Sequence, residues 1–412
     1  MGQGASLKKS AKFSYFVTSS AAKLSVAAES APKGVYKNLP FAIYHHAACE
    51  AHEIPNHPEQ PARVNWIMRY LRDAFPDPDS TIFREAPRAI DDHILLYHTS
   101  NHLKAFTTKA ARVEAHWENK QRVSYQAYDS DTCVMHGTRE AAYRAIGAIV
   151  EAIDCVFLPE DDPKHVKTAF CATRPPGHHA EQNQSMGFCF FNNAAIGARY
   201  AQQKYGQAPY NIKRVAVLDF DVHHGNGTED GFKKDPETLF YGSTHEKDNY
   251  PGTGADVYPY YGEEAKLPEN KHIVNRYLTG GDGKQSYDQF KPRWQYVIDQ
   301  MEKFRPDLII FSAGFDAHGA DPLGNCWLKT EDFAWATDIV KEAAIRINPE
   351  KPVPCVSILE GGYNLGAISE SAVAHTQSLI KDRSFEKASN YESKCSDEND
   401  LVKEMAKLAV AK

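Results

Sequence analysis

Val215-Ala216-Val217-Leu218-Asp219-Phe220-Asp221-Val222-His223-His224-Gly225-Asn226-Gly227 passes from an unbroken apolar run into alternating acids and histidines, then into a glycine-rich turn. A near-continuous apolar run of this length, Val215 to Phe220, reads as a strand buried on both faces, as in a parallel sheet. In an extended chain, positions two apart share a face, so Asp219, Asp221 and His223 are expected to project to one side. Three ionisable groups on one face of an apolar strand are costly unless they pair or bind a cation. One Asp-x-His alone arises readily by chance; three in phase before a glycine-rich loop carry more weight.

Similar runs recur at Phe41–Tyr44, Val166–Thr173, Leu239–Tyr241, Leu308–Ser312 and Val353–Leu359. Helical patterns separate them. Val64, Ile67, Met68 and Leu71 share one face, Ile146, Ile149, Val150 and Ile153 another. Phe290, Trp294, Val297, Met301 and Phe304 form a third. Thr330 is placed to cap a fourth helix, with Glu331 and Asp332 in its first turn and Phe333, Ala336, Val340 and Ala343 facing inward. Strands alternating with helices predict one α/β domain with a central, mainly parallel sheet.

In such sheets sites form beyond the carboxyl ends of the strands. Four strand ends here carry polar motifs: Arg174-Pro-Pro-Gly-His178-His179, Asp219 to His224, Ser312-Ala-Gly-Phe-Asp316-Ala-His318, and Glu360-Gly-Gly-Tyr363. One shared cleft is expected. Asp221, His223 and Asp316 make an N/O set suited to a catalytic divalent ion with an open position; zinc is the default, and ferrous or cobalt ions suit the same donors. Asp316 by itself would be a turn or cap residue, and Tyr363 a half-buried packing residue. His178 and His179, at a strand end facing the acids, are candidates for proton transfer.

The 412 residues are 42% hydrophobic and 25% charged, with a net charge of -7, so no basic footprint for direct nucleic-acid binding exists. The eight cysteines contain no C-x-x-C pair and read as buried free thiols. No apolar run is long enough for a transmembrane span. Residues 1–40 are expected to be a flexible extension. Its Met1-Gly2-Gln3-Gly4-Ala5-Ser6 fits an N-myristoylation pattern, which with Lys8 and Lys9 would give weak membrane association; its Ser, Ala and Lys content also loosely resembles a transit peptide. A catalytic domain is expected over 41–381 and a polar tail over 382–412. The absence of a basic import cluster favours a cytoplasmic protein, with nuclear and organelle placements open.

These motifs, together with His57-Pro58-Glu59, Pro61, Arg63, Gly187-Phe-Cys-Phe-Phe-Asn192 and Asp321-Pro-Leu-Gly324, resemble those of the histone deacetylase family, class II in particular, in the family's order. The resemblance covers about Phe41 to Ile380. It implies the arginase-deacetylase fold, a three-layer α/β/α arrangement. It implies one catalytic Zn2+ on Asp221, His223 and Asp316, with His178, His179, Asp219 and Tyr363 as catalytic residues. His179 would serve as base and then acid, and His178 beside Asp219 as its electrostatic partner.

The resemblance further implies structural K+ at Asp219, Asp221, His223, Ser243 and Thr244, and a second cation site at Phe232, Asp235 and Thr238. Gly187, Phe188, Tyr250, Leu323 and Asp131 would contact an acetylated protein or peptide. Asn226 stands behind His179 where several relatives carry aspartate, so His179 is expected to have a lower pKa than it would beside a carboxylate. Three other readings were weighed. An arginase-like hydrolase needs a further acid where Gly225 stands. A polyamine deacetylase would carry a glutamate gatekeeper where Leu323 stands. A weakly catalytic acyl-lysine-binding scaffold would lack Tyr363.

Overall fold

The computed structural model describes residues 41–76, 82–119, 125–254, 272–281 and 284–381. The chain divides into Met1–Lys37 and Asn38–Lys412, and all described residues lie in the second unit. The expected N-terminal extension, its acylation pattern and the tail after residue 381 fall outside the described residues.

In chain order the strands are β1 (Phe41–His45), β2 (Phe83–Glu85), β3 (Gln126–Ala127), β4 (Cys133–Val134), β5 (Thr168–Cys171), β6 (Val215–Asp219), β7 (Leu239–Glu246), β8 (Ile273–Leu278), β9 (Leu308–Ala313) and β10 (Cys355–Leu359). The helices are α1 (Ala62–Ala74), α2 (Asp91–Ile94), α3 (Ser100–Glu118), α4 (Thr138–Phe157), α5 (Asn193–Tyr205), α6 (Asn226–Phe232), α7 (Lys284–Phe304), α8 (Thr330–Ile347) and α9 (Leu365–Ile380).

Eight strands form one sheet in the order β2-β1-β5-β10-β9-β6-β7-β8, and every neighbouring pair is parallel. Helices α1, α7, α8 and α9 pack as one group against it, and α4 with α5 as another. The sheet therefore lies between helical layers, and β5, β10, β9, β6 and β7 are buried along their whole length. That double burial is why their sequences are apolar without alternation. Ile146, Ile149 and Ile153 of α4 are fully buried, each worth about 1.5–3 kcal/mol.

Several expectations need correction. The strands β2 and β8 were not anticipated. They are the two edges of the sheet, and their mixed sequences, Phe-Arg-Glu and Ile-Val-Asn-Arg-Tyr-Leu, lack the continuous apolar signal of inner strands. The expected Val166–Thr173 and Val353–Leu359 runs shorten to β5 and β10, while β7 extends to Glu246. Thr330 is the first residue of α8 rather than its cap. The N–H of Lys329 is instead satisfied by the Asp332 carboxylate at 2.9 Å.

The four motif-bearing strands β5, β10, β9 and β6 are consecutive neighbours at the middle of the sheet. Their carboxyl ends thus open onto one place, although in sequence they are spread over nearly the whole domain.

Candidate metal centre and active site

The strand β6 ends at Asp219, so the expected alternation along an extended strand does not apply beyond it. Local turns do the work instead. The N–H of Asp221 donates to Asp219 Oδ1 at 3.1 Å, and the N–H of His223 donates to Asp221 Oδ1 at 2.9 Å. Each acid captures the backbone two residues on, the turn chemistry for which Asp is suited. The N–H of Val222 donates to Asp316 Oδ1 at 2.8 Å, drawing in the loop after β9. The N–H of Gly361, after β10, donates to Asp221 Oδ2 at 2.8 Å.

The result is a buried trio. Ligand atoms of Asp221, His223 and Asp316 all lie within 4.8 Å of one another. His223 Nδ1 stands 3.1 Å from Asp221 Oδ1 and 3.1 Å from Asp316 Oδ2. Two ligand atoms of one tetrahedral zinc lie roughly 3.4 Å apart, so this spacing and donor set fit such an ion. Burial pulls the His223 imidazole towards neutrality, but hydrogen bonds and charge from Asp221 and Asp316 outweigh it and raise its pKa to about 10. Burial, then the charge of Asp221, raises Asp316. Two buried carboxylates facing one imidazole make a centre that favours a positive charge.

The loop after β5 presents the tandem histidines. His178 Nδ1 lies 3.1 Å from Asp219 Oδ2. Burial opposes its charge, but Asp221 and Asp219 overcome that and raise its pKa to about 10. His179 differs. Its Nδ1 lies 2.9 Å from the amide oxygen of Asn226, whose nitrogen donates to Glu181 Oε1 at 2.9 Å. An amide oxygen only accepts, so Nδ1 of His179 carries the hydrogen and Nε2 keeps its lone pair. Burial first, then the charges of His178 and His223, holds the His179 pKa well below its ordinary value. The surroundings of the two imidazoles thus push in opposite directions, His178 towards the charged form and His179 towards the neutral one.

Tyr363 follows β10 and is almost wholly buried. Its N–H donates to Asp321 Oδ2 at 2.6 Å, and the Arg63 guanidinium lies 4.8 Å from its ring centroid. Arg63 also donates to the carbonyls of Gly362 (2.6 Å) and Glu360 (2.5 Å). Behind it Glu59 bonds both Arg63, at 2.9 Å, and Arg174 Nε, at 2.6 Å, all three fully buried. Glu360 accepts from the N–H groups of Gly177 (2.6 Å) and His178 (3.1 Å) and from the Ser312 hydroxyl (3.1 Å). That carboxylate joins the ends of β10, β5 and β9.

The expected substrate contacts fall around this centre. Gly187 has φ +56°, and a Cβ there would come within 2.5 Å of the His179 ring and 2.8 Å of the Tyr250 ring. Phe188 meets Tyr363 edge-on at 5.8 Å, and Tyr250 meets His179 edge-on at 5.0 Å. Asp131 is exposed, on the turn between β3 and β4, beside Thr132 whose hydroxyl accepts the Phe188 N–H at 3.0 Å. Leu323 is half-buried, its N–H held by Asp321 Oδ1 at 3.0 Å.

Of the expected cation residues, Asp219 pairs in register with Ser243 across β6 and β7. Ser243 Oγ lies 2.9 Å from His245 Nδ1, and the buried Thr244 hydroxyl has no hydrogen-bond partner among the described residues. Phe232, Asp235 and Thr238 share one turn, where the Asp235 carboxylate pairs with Arg199 at 2.7 Å.

Gly225 stands where an arginase-like second-metal acid is needed. A Cβ there would come within 2.4 Å of Asp219 Oδ2 and 2.6 Å of the Tyr241 hydroxyl, so a side chain at this position would have to displace them. Tyr241 itself was not anticipated. It is fully buried and donates to Asp219 Oδ2 at 3.0 Å while accepting the Gly225 N–H at 3.0 Å. Glu181, Asp321 and the joining role of Glu360 were also missed. The acids sat in or beside recognised motifs, which was the available signal; Tyr241 gave none, because a tyrosine in an apolar strand looks like core.

A family model described as the histone deacetylase domain matches residues 57–379. Histone deacetylase 6 of Caenorhabditis elegans is 34% identical over 358 residues, covering 85% of this chain and 35% of its own length. The type-2 histone deacetylase 2 of Dictyostelium discoideum is 32% identical, covering 85% of this chain and 21% of its own. The chain thus spans a fifth to about a third of the length of these relatives. Histone deacetylase 14, chloroplastic, of Arabidopsis thaliana is 32% identical over 83% of this chain and 77% of its own. A crystal structure of the HDA15 HD domain matches with TM-score 0.66 and 30% identity, covering 82% of this chain and 89% of that one. The sheet order and layers are those of the arginase-deacetylase fold.

Proposed function

Because the chain belongs to the histone deacetylase family, we propose that it hydrolyses the acetyl amide of lysine side chains in proteins or peptides, using one zinc ion held by Asp221, His223 and Asp316. The observation that carries this reading is the convergence of those three ligand atoms beside a histidine kept neutral, with its free nitrogen unblocked. When bound, the ion acidifies water from ~15.7 towards ~7 and polarises the acyl oxygen.

The protein's own groups do the rest. His179 Nε2 takes the proton from the attacking water and returns it to the departing amine. The Tyr363 hydroxyl donates to the oxyanion, a donor typically worth ~10²–10³ in rate. Asp219 holds the His178 imidazole in place and favours its protonated form behind the centre. Phe188 and Tyr250 line the four methylenes of the lysine, giving about 3 kcal/mol of apolar binding at ~0.8 kcal/mol each. Leu323, being neutral, favours a peptide over a polycation. This reading includes structural K+ around Asp219 and Ser243.

The test is a zinc titration of the purified chain with acetyl-lysine peptides and acetylated polyamines, run beside Asp316→Ala. Peptide turnover that rises with one equivalent of zinc is expected. Turnover of the polyamines alone would overturn the substrate assignment, and failure to hold metal under any loading would overturn the chemistry.

A further inference from the structure

Two loops carry residues assigned to the acyl-lysine path. One, following β7, bears Tyr250; the other, following β9, bears Leu323. They come from strands that are not neighbours in the sheet. Yet a single side chain joins their backbones. The amide of Asn249 accepts the Tyr250 N–H on its oxygen at 2.7 Å and donates from its nitrogen to the Leu323 carbonyl at 3.1 Å.

The same nitrogen donates to Glu246 Oε2 at 2.8 Å, and that carboxylate oxygen also accepts the Asn325 N–H at 3.1 Å. Glu246 is buried and closes β7, and its own N–H donates to the Val222 carbonyl at 2.8 Å, between the ligands Asp221 and His223. The far end of the Tyr250 loop is tied as well: His224 meets the Thr253 hydroxyl at 2.8 Å, and His245 meets the Gly254 carbonyl at 3.0 Å.

We infer that Glu246 and Asn249 form a clip that sets the distance between Tyr250 and Leu323, and so determines which acylated amines the centre admits. This rests on the deacetylase reading above and names what sets its selectivity. Neither residue touches the reacting atoms; both are positioning residues. The amide's orientation is fixed, because its nitrogen faces two acceptors and its oxygen faces a donor. A carboxylate of the same shape at 249 would face the Glu246 carboxylate and the Leu323 carbonyl with no proton to share, and would push the loops apart.

The experiment compares wild type with Asn249→Asp, Glu246→Ala and the conservative Glu246→Gln, each loaded with zinc. Asn249→Asp and Glu246→Ala are expected to raise KM for an acetyl-lysine peptide about tenfold while kcat moves less than about threefold, and to shrink the preference for peptide over acetylated polyamine. Glu246→Gln, which keeps an acceptor oxygen, restores both. Amide hydrogen exchange, which needs no turnover, is expected to quicken together over residues 247–254 and 321–326 in the two disruptive variants. Unchanged KM and exchange, a loss confined to kcat, or faster exchange in one loop only would overturn the clip. A wild type that turns over no acetylated amine would instead overturn the function, and with it the selectivity role, whatever the exchange shows.

Discussion

Asn226 turns its amide oxygen towards Nδ1 of His179 at 2.9 Å and its nitrogen towards Glu181 at 2.9 Å, so a surface-side acid dictates which nitrogen of the base is free. Replacing Asn226 by Asp puts a negative charge beside the imidazole. That favours the protonated ring and raises its pKa above that of the wild-type histidine. A base works only when neutral, so the acid limb of the kcat/KM profile moves to higher pH. A pH-rate series on Asn226→Asp checks this; an unmoved limb would show that His179 is not the titrating base.

Tyr363→Phe removes one donor and leaves the fold and metal ligands in place. The ring still packs against Phe188 and beneath Arg63. kcat is expected to fall by ~10²–10³, with zinc content and thermal midpoint unchanged. A fall in bound zinc matching the loss of activity would assign the tyrosine a structural role instead.

Loading the centre should release protons. The metal-free chain holds His223 with a pKa raised to about 10, by its two carboxylate neighbours acting against burial. Ligation requires the neutral ring. At neutral pH zinc uptake therefore displaces that proton, and affinity weakens as pH falls. Calorimetry in buffers of different ionisation enthalpy measures it directly. Heats that do not depend on the buffer would mean that the site is already deprotonated.

The Glu59 carboxylate sits fully buried between Arg63 and Arg174. Burial alone would raise its pKa, but the two guanidiniums lower it to about 2. A depressed carboxylate stabilises the fold above its unfolded value of 4.5 and loses that contribution as pH drops towards 2. Glu59→Gln leaves two buried cations undercompensated and should cost roughly 3–5 kcal/mol at neutral pH. It should also flatten the stability curve between pH 4.5 and 2. Denaturant titrations across that range test both parts.

How much of this was legible beforehand depended on which force wrote the signal. Inner strands such as Val215–Asp219 are buried on both faces, and the apolar run is the direct imprint of that burial. Edge strands such as Ile273–Leu278 are half-buried, carry Asn275 and Arg276, and left no such imprint. The trio of Asp221, His223 and Asp316 was legible because acids and histidines at strand ends are expensive without a partner. The shared strand ends hold, but the alternation expected for Asp219, Asp221 and His223 does not, because β6 ends at Asp219 and turns place the residues beyond it. Tyr241 and Asn249 act through contacts with residues distant in sequence or in another loop, and nothing in their immediate neighbours announces it.

The position of β10 has a consequence for how the site is assembled. Among the described residues it is the last strand in the chain, yet it lies between β5 and β9, which have no other link within the sheet. Without residues 355–359 the described sheet divides into two pieces, β2-β1-β5 and β9-β6-β7-β8. The three candidate ligands follow strands of the second piece, whereas the tandem histidines follow β5 of the first and Tyr363 follows β10 itself. On the proposed reading, residues 355–359 are therefore the keystone that brings the candidate ligands, the tandem histidines and Tyr363 to one place.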